Sequence, residues 1–152
     1  MNSDEKLKSL GFDFDKVPQP AASYEPLVRV GNLIFLSGVL PSNGPGRIEY
    51  TGKVGRDMTT LDAQSAARLC AANLLRLLKR ELGSLDAIKR IVKITGFINS
   101  APGYAEQHIA LNGASEFLVE VLGENGKHAR AAVGVAELPL QAAVEIDAVV
   151  EV

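Results

Sequence analysis

The sequence predicts an α+β fold in which two long helices cover one face of a mixed β-sheet. Three observations support this prediction: a long stretch with apolar residues at helical spacing, several short β-rich stretches around it, and a second helical stretch before the last two strands. The predicted order of elements is β-β-β-α-β-α-β-β, which is typical of an α+β domain. With 152 residues, the chain is long enough for one domain with its own apolar core.

The first quarter of the chain is predicted to contain a short helix, a linker and a β-hairpin. Residues 3–10 have the spacing of a short helix. Prolines at positions 18 and 20 favour an extended segment after it, because proline restricts the residue that precedes it. Residues 27–30 and 33–36 are β-rich, and the Gly-Asn pair at 31–32 between them is a strong hairpin-turn signal.

A third strand and the longest helix are predicted next. Residues 47–50 are expected to form a short strand after a loop that is rich in proline and glycine. The helix is predicted over 59–82, with Thr59 as its N-cap, Asp62 near its positive end and Gly83 as its stop. Its buried face is predicted to consist of Ala63, Ala67, Cys70, Leu74, Leu77 and Leu78.

The remainder of the chain is predicted to contain three strands and a second long helix. Residues 88–98, 130–135 and 144–152 are the strands, and 104–122 is the helix. The sheet face that the helices do not cover also carries apolar side chains on alternate strand positions, namely Leu33, Phe35, Ile91, Thr95, Val133 and Val144. Because one chain has only two long helices, we expect another subunit to cover this face.

Composition and charge exclude several classes of protein. Sixteen Lys and Arg against eighteen Asp and Glu give a net charge of −2, which argues against a general nucleic-acid-binding surface. One cysteine excludes an internal disulfide framework, and two histidines exclude an all-histidine metal site within one chain. No apolar run approaches the roughly 20 residues of a membrane span. Residues 1–14 lack the apolar stretch of a signal peptide, so we expect a cytoplasmic protein.

Arg130 and Glu145 have the most informative surroundings of the charged residues. Arg130 opens a strand that is otherwise small and apolar, and a fixed guanidinium in such surroundings can bind a carboxylate through two parallel hydrogen bonds. A structural ion pair would explain the same arginine. Glu145 lies on a strand that is predicted to be partly buried, where a carboxylate can position water or transfer a proton. An exposed polar strand face is the alternative for Glu145.

Residues 130–147 carry the most specific pattern of the sequence: an arginine, an apolar strand, a Leu-Pro pair and then Val-Glu-Ile-Asp. This pattern resembles the C-terminal signature of the RidA/YjgF family. The resemblance continues upstream in residues 30–38, which match the family's early Gly-Asn-apolar-Ser-Gly strand, and in residues 62–67 at the start of the first long helix. It covers about residues 20–152, which we take as a single domain preceded by an N-terminal extension over residues 1–19.

The resemblance implies a fold, an assembly and an activity. Members of the family are similar to chorismate mutase in fold, form homotrimers and hold small carboxylate-bearing ligands in clefts between subunits. Their best-described activity is the hydrolysis of reactive enamines and imines, such as 2-aminoacrylate and 2-iminopropionate, to 2-oxo acids and ammonia. The reaction needs no metal and no organic cofactor. The resemblance therefore implies a deaminase-type hydrolase.

The resemblance also implies roles for individual residues. Arg130 would hold the substrate carboxylate, and Glu145 would position the attacking water or assist proton transfer. Tyr24, Ser37 and Asn112 would line the cleft and bind substrate. Because an imine carbon is already electrophilic, the reaction requires positioning and electrostatic stabilisation rather than an activated nucleophilic side chain.

Two residues close to Arg130 in the sequence are further candidates for substrate binding. Ala132 stands where many family members carry cysteine, and its backbone carbonyl would contact ligand or water whatever its side chain. His128 precedes Arg130 by two residues, so strand alternation would point both the same way. It could contact the ligand, or it could be a surface histidine beside a turn. The extra N-terminal helix, the long loop at 41–58 and the insertion at 100–103 indicate a divergent subgroup of the family.

Two other functions compete with imine hydrolysis. A non-catalytic protein that binds a small metabolite, such as a 2-oxo acid, would use the same arginine in the same cleft. A ribonuclease activity is often attached to the family name, but the net charge, the lack of an aromatic cluster for base stacking and the lack of a histidine pair argue against it. We therefore expect a small carboxylate-bearing substrate, with no nucleic-acid and no membrane partner.

Overall fold

A five-stranded mixed sheet with helices on one face forms the fold in the computed structural model, which describes residues 1–152. The strand order is β1-β2-β5-β3-β4, in which β3 and β4 are parallel and all other neighbours are antiparallel. The elements are α1 (Ser3–Ser9), β1 (Leu27–Val30), β2 (Leu33–Val39), α2 (Thr60–Leu82), β3 (Arg90–Asn99), α3 (Gln107–Ala110), α4 (Asn112–Leu122), β4 (Ala129–Val135) and β5 (Val144–Glu151). The α+β prediction is confirmed. None of the helices combines the length and the hydrophobicity that crossing a membrane would require.

Helix α2 begins, ends and packs as its sequence predicts. The Thr59 hydroxyl accepts a hydrogen bond from the Asp62 N–H (3.1 Å), and the Asp62 carboxylate accepts one from the Thr59 N–H (3.0 Å). Gly83 ends the helix in the left-handed conformation, with a φ of +81°. The predicted apolar face is buried: Ala63, Ala67, Cys70, Leu74, Leu77 and Leu78 are all at most 2% exposed.

The second predicted helix is shorter than expected and is divided into α3 and α4. It begins three residues later than predicted, because a turn around Gly103 (φ +84°) precedes it. At the division, the Ile109 carbonyl accepts a hydrogen bond from the Gln64 side chain of α2 (3.0 Å). Leu111 packs so closely on Gly96 of β3 that a β-carbon there would lie 2.4 Å from it. The prediction of one continuous helix is wrong, because contacts with α2 and β3 interrupt it.

A β-bulge in β3 changes which of its residues face the helices. Ile91 and Lys93 pair with successive residues of β5, so Val92 is an extra residue in the ladder. Ile91 is therefore buried at 2% exposure together with Ile94. The prediction that Ile91 faces away from the helices is wrong, because strict alternation does not allow for the extra residue. The prediction that Val144 lies on the uncovered face is also wrong, since Val144 is in the core at 0% exposure. Side chains alternate along β5, and Glu145, the next residue, faces the uncovered side.

The segment at 47–50 does not form the predicted strand. Isolated bridges join Ser42 to Ile48 and Thr51 to Ala142, without a continuous ladder. Glycines at 44, 46 and 52 have φ values of +95°, +73° and +116°, which curl the chain away from an extended course. The segment is a loop that follows β2.

The N-terminal residues fold onto the helices. Leu7 of α1 is fully buried in the core. The carboxylate of Asp4 accepts hydrogen bonds from Lys79 Nζ of α2 (2.7 Å) and from the Leu85 N–H (2.9 Å). Burial acts to raise the pKa of Asp4, but these bonds outweigh it and lower the pKa. The C-terminal end of α2 and the residues that follow it thus help to fix α1 on the fold.

The face of the sheet opposite the helices, called here the open face, carries exposed apolar residues. Val28 and Phe35 pair across β1 and β2 and are 53% and 46% exposed. Val133 of β4, on the same face, is 41% exposed. A surface of this kind is typical of a protein–protein contact. The exposed apolar residues of the open face agree with the expectation that another subunit covers it. The homotrimer itself stays a prediction.

Candidate functional site

Arg130 lies on β4, an edge strand, and its side chain points toward the helices. Its Nη1 donates a hydrogen bond to Ser115 Oγ of α4 (3.0 Å), and its Nη2 donates one to the His108 carbonyl of α3 (2.8 Å). No carboxylate of the chain forms an ion pair with it. The structural ion pair considered from the sequence is therefore absent. A guanidinium that is held in place, with N–H donors still free, is arranged to bind an anion.

His128 is connected to Arg130 through the hydroxyl of Ser115. The His128 Nε2 lies 2.9 Å from Ser115 Oγ, and its Nδ1 lies 2.6 Å from the Gly126 carbonyl. Both ring nitrogens are thus engaged within the chain. The predicted contact between His128 and a ligand stays a prediction, and what the structure shows is a link from His128 to Arg130.

Asn112 and Ala132 lie beside the same arginine. Asn112 begins α4 and precedes Ser115 by three residues, so both lie on the same side of that helix. Ala132 follows Arg130 by two residues on β4, is half-buried and pairs with Gly96 of β3. We call the group of Arg130, Asn112, Ser115, His128 and Ala132 the arginine cluster. The structure therefore brings four of the seven predicted site residues together, and adds Ser115.

Glu145 lies on β5 and faces the open side of the sheet. It is half-buried, and its carboxylate makes neither an ion pair nor a hydrogen bond in the chain. Burial raises the pKa of Glu145, and the like charge of Asp147 raises it further. A carboxylate whose pKa is raised is a stronger base than an ordinary carboxylate, which favours a role in proton transfer.

A β-bulge in β2 lies directly beside Glu145. Two residues of β2, Ser37 and Gly38, stand opposite Asp147 alone. A β-carbon at Gly38 would lie 2.8 Å from the Cδ and Oε1 atoms of Glu145, so the carboxyl group rests against this glycine. Ser37 Oγ donates a hydrogen bond to the Glu25 carbonyl (2.6 Å). Bulges are frequent beside functional sites, where they change the direction of side chains.

A cavity of about 290 Å³ also borders Ser37 and Gly38. Tyr24 lines it and is 44% exposed, and its hydroxyl accepts a hydrogen bond from the Ala21 N–H (3.3 Å). Much of the remaining wall is apolar and includes Pro18, Pro20, Val39, Leu40, Ile48 and Leu77. A cavity of about 150 Å³ is sufficient for benzene. The cavity beside Gly38 is thus large enough for an apolar side chain of a small ligand.

The candidate residues fall into two groups that one chain keeps apart. Glu145 and the cavity belong to one group, and the arginine cluster is the other. Glu145 pairs with Phe97 on β3, and Phe97 pairs with Val133 on β4. Glu145 and Val133 are thus separated by two strand spacings, or about 10 Å across the sheet. Arg130 lies three residues from Val133, which is about 10 Å along β4, and its side chain is on the opposite face of the sheet. One small ligand cannot contact both Arg130 and Glu145 within one chain.

Sequence reasoning missed Ser115 and Gly38 as parts of the two groups. The spacing of three residues between Asn112 and Ser115 was a signal for the serine, because such residues share one side of a helix. Gly38 acts through the bulge, which no local pattern predicts. No group of three or more His, Cys, Asp or Glu side chains lies close enough to hold a metal ion.

Comparison with known proteins decides the family. Residues 4–151 match the family model described as "YjgF/chorismate_mutase-like, putative endoribonuclease". The chain belongs to the YjgF/chorismate mutase-like family. The RidA/YjgF resemblance that the sequence carries is thereby confirmed, and so is the mixed-sheet fold that it implies.

Three relatives place the chain within the YjgF family. Protein TCP17 of Trypanosoma cruzi is 44% identical over 146 residues, which are 95% of this chain and 91% of that protein. A crystal structure of a protein of unknown function from Agrobacterium tumefaciens is 49% identical, has a TM-score of 0.89 and covers 99% of this chain and 92% of its own. RidA from the Antarctic bacterium Psychrobacter sp. PAMC 21119 is 28% identical, with a TM-score of 0.64 over 91% of this chain and 95% of its own. The lower TM-score with RidA agrees with a divergent subgroup.

Proposed function

We propose that this YjgF-family protein hydrolyses small imines and enamines that carry a carboxylate, and releases 2-oxo acids and ammonia. The observation that carries the proposal is the state of Arg130: two hydrogen bonds fix its guanidinium, and no carboxylate of its own chain neutralises it. A carboxylate is the anion that matches the planar guanidinium through two parallel hydrogen bonds. Membership of the family, whose resemblance implies small carboxylate-bearing ligands, supports the same class of ligand.

The complete site, in this proposal, forms between two copies of the chain in a homotrimer. The separation of Arg130 and Glu145 on opposite faces of the sheet supports a shared site, because one chain cannot bring both residues to the same ligand. The exposed apolar residues of the open face also support it, because a neighbouring copy would bury them. Arg130 of one copy and Glu145 of the next copy would then contact one ligand.

Glu145 would act first as a general base and then as a general acid. Its carboxylate takes a proton from water while the water oxygen bonds to the imine carbon and the C=N electron pair moves to nitrogen. The nitrogen of this carbinolamine then receives a proton from Glu145. Glu145 then takes the proton of the hydroxyl group and passes it to the same nitrogen as the C–N bond breaks. Ammonia leaves, and the hydroxyl oxygen becomes the carbonyl oxygen of the 2-oxo acid. The raised pKa of Glu145 suits both roles.

The cavity beside Gly38 would receive the side chain of the substrate. It borders Gly38, the residue on which the Glu145 carboxyl rests, so a reacting carbon beside Glu145 would have the cavity within reach. Its largely apolar walls favour an aliphatic or aromatic side chain over a charged one. We therefore expect imines derived from apolar amino acids to be substrates.

A coupled assay tests the proposal. An amino-acid oxidase produces the imine in place, and semicarbazide competes to trap it, so the protein should lower the trapped fraction. Arg130→Ala should reduce kcat/KM about 100-fold, because two charge-assisted hydrogen bonds are worth about 3 kcal/mol together. Arg29→Ala is the matched control, since Arg29 is an exposed strand arginine that donates to the Gly31 carbonyl.

The outcomes separate the proposed function from its alternative. Loss of activity in Arg130→Ala, with full activity in Arg29→Ala, supports the proposal. Equal activity in all three proteins contradicts the role of Arg130. Binding of a 2-oxo acid by the wild type in calorimetry, without turnover of any imine, overturns the enzyme proposal in favour of a metabolite-binding protein.

A further inference from the structure

We propose that Ser115 and His128 are positioning residues that orient the Arg130 guanidinium for its ligand. This inference rests on the proposed function, in which Arg130 holds the substrate carboxylate. It is carried by a continuous series of hydrogen bonds: Arg130 Nη1 to Ser115 Oγ at 3.0 Å, Ser115 Oγ to His128 Nε2 at 2.9 Å, and His128 Nδ1 to the Gly126 carbonyl at 2.6 Å.

The direction of every hydrogen bond in this series follows from its two ends. The Gly126 carbonyl can only accept, so His128 Nδ1 must carry a proton and donate. In a neutral ring Nε2 then has no proton, so it accepts a hydrogen bond from the Ser115 hydroxyl. The hydroxyl proton of Ser115 is thereby directed away from Arg130. Its oxygen is left as an acceptor for the guanidinium, which can only donate.

The three side chains come from α4, from β4 and from the segment just before β4, so their hydrogen bonds join separate parts of the fold. Ser115 belongs to α4, and Arg130 belongs to β4. A second hydrogen bond, from Arg130 Nη2 to the His108 carbonyl at 2.8 Å, fixes the guanidinium at another point. These two bonds and the attachment to the side chain hold the guanidinium at three points, which determines its plane. A long and flexible side chain is thus ordered before the carboxylate arrives, which lowers the entropy cost of binding.

His128 therefore acts through Ser115 and not through contact with the ligand. Ser115 is half-buried, and without the nitrogen acceptor its hydroxyl proton would be free to point toward Arg130, where it would compete with the guanidinium. The histidine holds the hydroxyl in the one orientation that accepts from Arg130. Ser115 and His128 thus have a function that Asn112, at the start of α4, does not share.

Steady-state kinetics provide the first test. Ser115→Ala should raise KM about tenfold at nearly unchanged kcat, because the hydrogen bonds to the substrate carboxylate stabilise the ground state and the transition state equally. Ser115→Thr, which retains the hydroxyl, should restore KM to within about twofold of the wild type. Ser65→Ala, at an exposed serine of α2, is the control and should change nothing. A fall in kcat alone, or failure of the threonine variant to restore KM, overturns the inference.

A double-mutant cycle tests whether the histidine acts through the serine. His128→Ala alone should raise KM about threefold to tenfold, but in the Ser115→Ala background it should have no further effect. Additive effects of the two substitutions contradict the inference. The midpoint of thermal unfolding of each variant is measured in parallel, because a purely structural role would lower it without changing KM.

Nuclear magnetic resonance separates this inference from the proposed function. With only two histidines, His108→Gln leaves the ring of His128 as the sole signal in long-range proton–nitrogen spectra. The inference predicts a neutral ring with the proton on Nδ1 in the wild type. In Ser115→Ala it predicts the same tautomer with a shifted Nε2 signal, because the Gly126 carbonyl still holds Nδ1 while Nε2 loses the Ser115 hydroxyl. A proton on Nε2 in the wild type overturns it. If the wild type neither hydrolyses imines nor binds pyruvate, the proposed function fails, and these spectra alone decide whether the series of hydrogen bonds exists.

Discussion

Gly38→Ala is predicted to reduce imine hydrolysis about 100-fold while the protein remains folded. A β-carbon at this position would lie 2.8 Å from the Cδ and Oε1 atoms and 3.0 Å from the Cγ atom of Glu145. Carbon atoms in contact lie about 3.5–4.0 Å apart, so the carboxyl group must move by about 1 Å. A displacement of about 1 Å can cost a positioned group about 100-fold in rate. The loss should appear in kcat, because Glu145 acts on the reacting atoms.

The same substitution should affect stability only slightly. The atoms in conflict belong to the outer part of the Glu145 side chain, which can rotate toward solvent because it is only half-buried. The φ of Gly38 is not in the left-handed region, so alanine fits its backbone. We expect a loss below about 1 kcal/mol in the free energy of unfolding, or about 2–4 °C in Tm.

The coupled imine assay and a double-mutant cycle with Glu145→Gln test this reasoning together. If Gly38→Ala acts by moving Glu145, it should have no further effect on kcat in the Glu145→Gln background. Full activity of Gly38→Ala would refute the reasoning. So would an equal loss in both backgrounds, because the methyl group would then act on something other than Glu145.

Three further predictions follow from the packing and charge of the same regions. Glu145→Gln should raise Tm at pH 7 and not at pH 4, because the raised pKa of Glu145 means that its ionisation destabilises the fold as pH rises through that pKa, and glutamine does not ionise. An equal change in Tm at both pH values would contradict this reasoning. Gly96→Ala should lower Tm by about 3–10 °C, because its β-carbon would lie 2.4 Å from Leu111 in the core, and an unchanged Tm would contradict the packing. Ala21→Leu places three more carbon atoms against the cavity. It should reduce kcat/KM for the imine of phenylalanine about tenfold relative to kcat/KM for the imine of alanine. An equal effect on both substrates would show that the cavity does not bind the substrate side chain.

The parts of the fold that could be predicted from sequence are those whose signals are local. Helix α2 is one example, because Thr59, Asp62 and Gly83 lie at its own ends and determine where it starts and stops. The β1–β2 hairpin is another, with its turn residues between two β-rich stretches. The bulge at Val92 could not be predicted, because it arises from the pairing of β3 with a strand about fifty residues later. The division between α3 and α4 likewise depends on Gln64, which is distant in sequence.

The candidate site shows the same limit. The pattern from Arg130 to Glu145 named both residues, because their order along the chain is a family signature. Their placement on opposite faces follows from strand register, which a single sequence does not show. The engagement of His128 by Ser115 and Gly126 depends on how α4 lies relative to the segment before β4, which a single sequence does not show. Sequence alone therefore named most candidate groups, and the structure showed how they are divided.

Complementation between two inactive variants tests most directly the claim that two copies of the chain form one site. Arg130→Ala and Glu145→Gln are each purified, mixed in equal amounts under denaturing conditions and refolded together. If a site takes Arg130 from one copy and Glu145 from the next, random assembly should restore about one quarter of wild-type activity, since each intact half is present with a probability of about one half. Mass measurement must show that the refolded assemblies contain both variants. If their activity is then no higher than that of the two variants refolded separately, the shared site is contradicted.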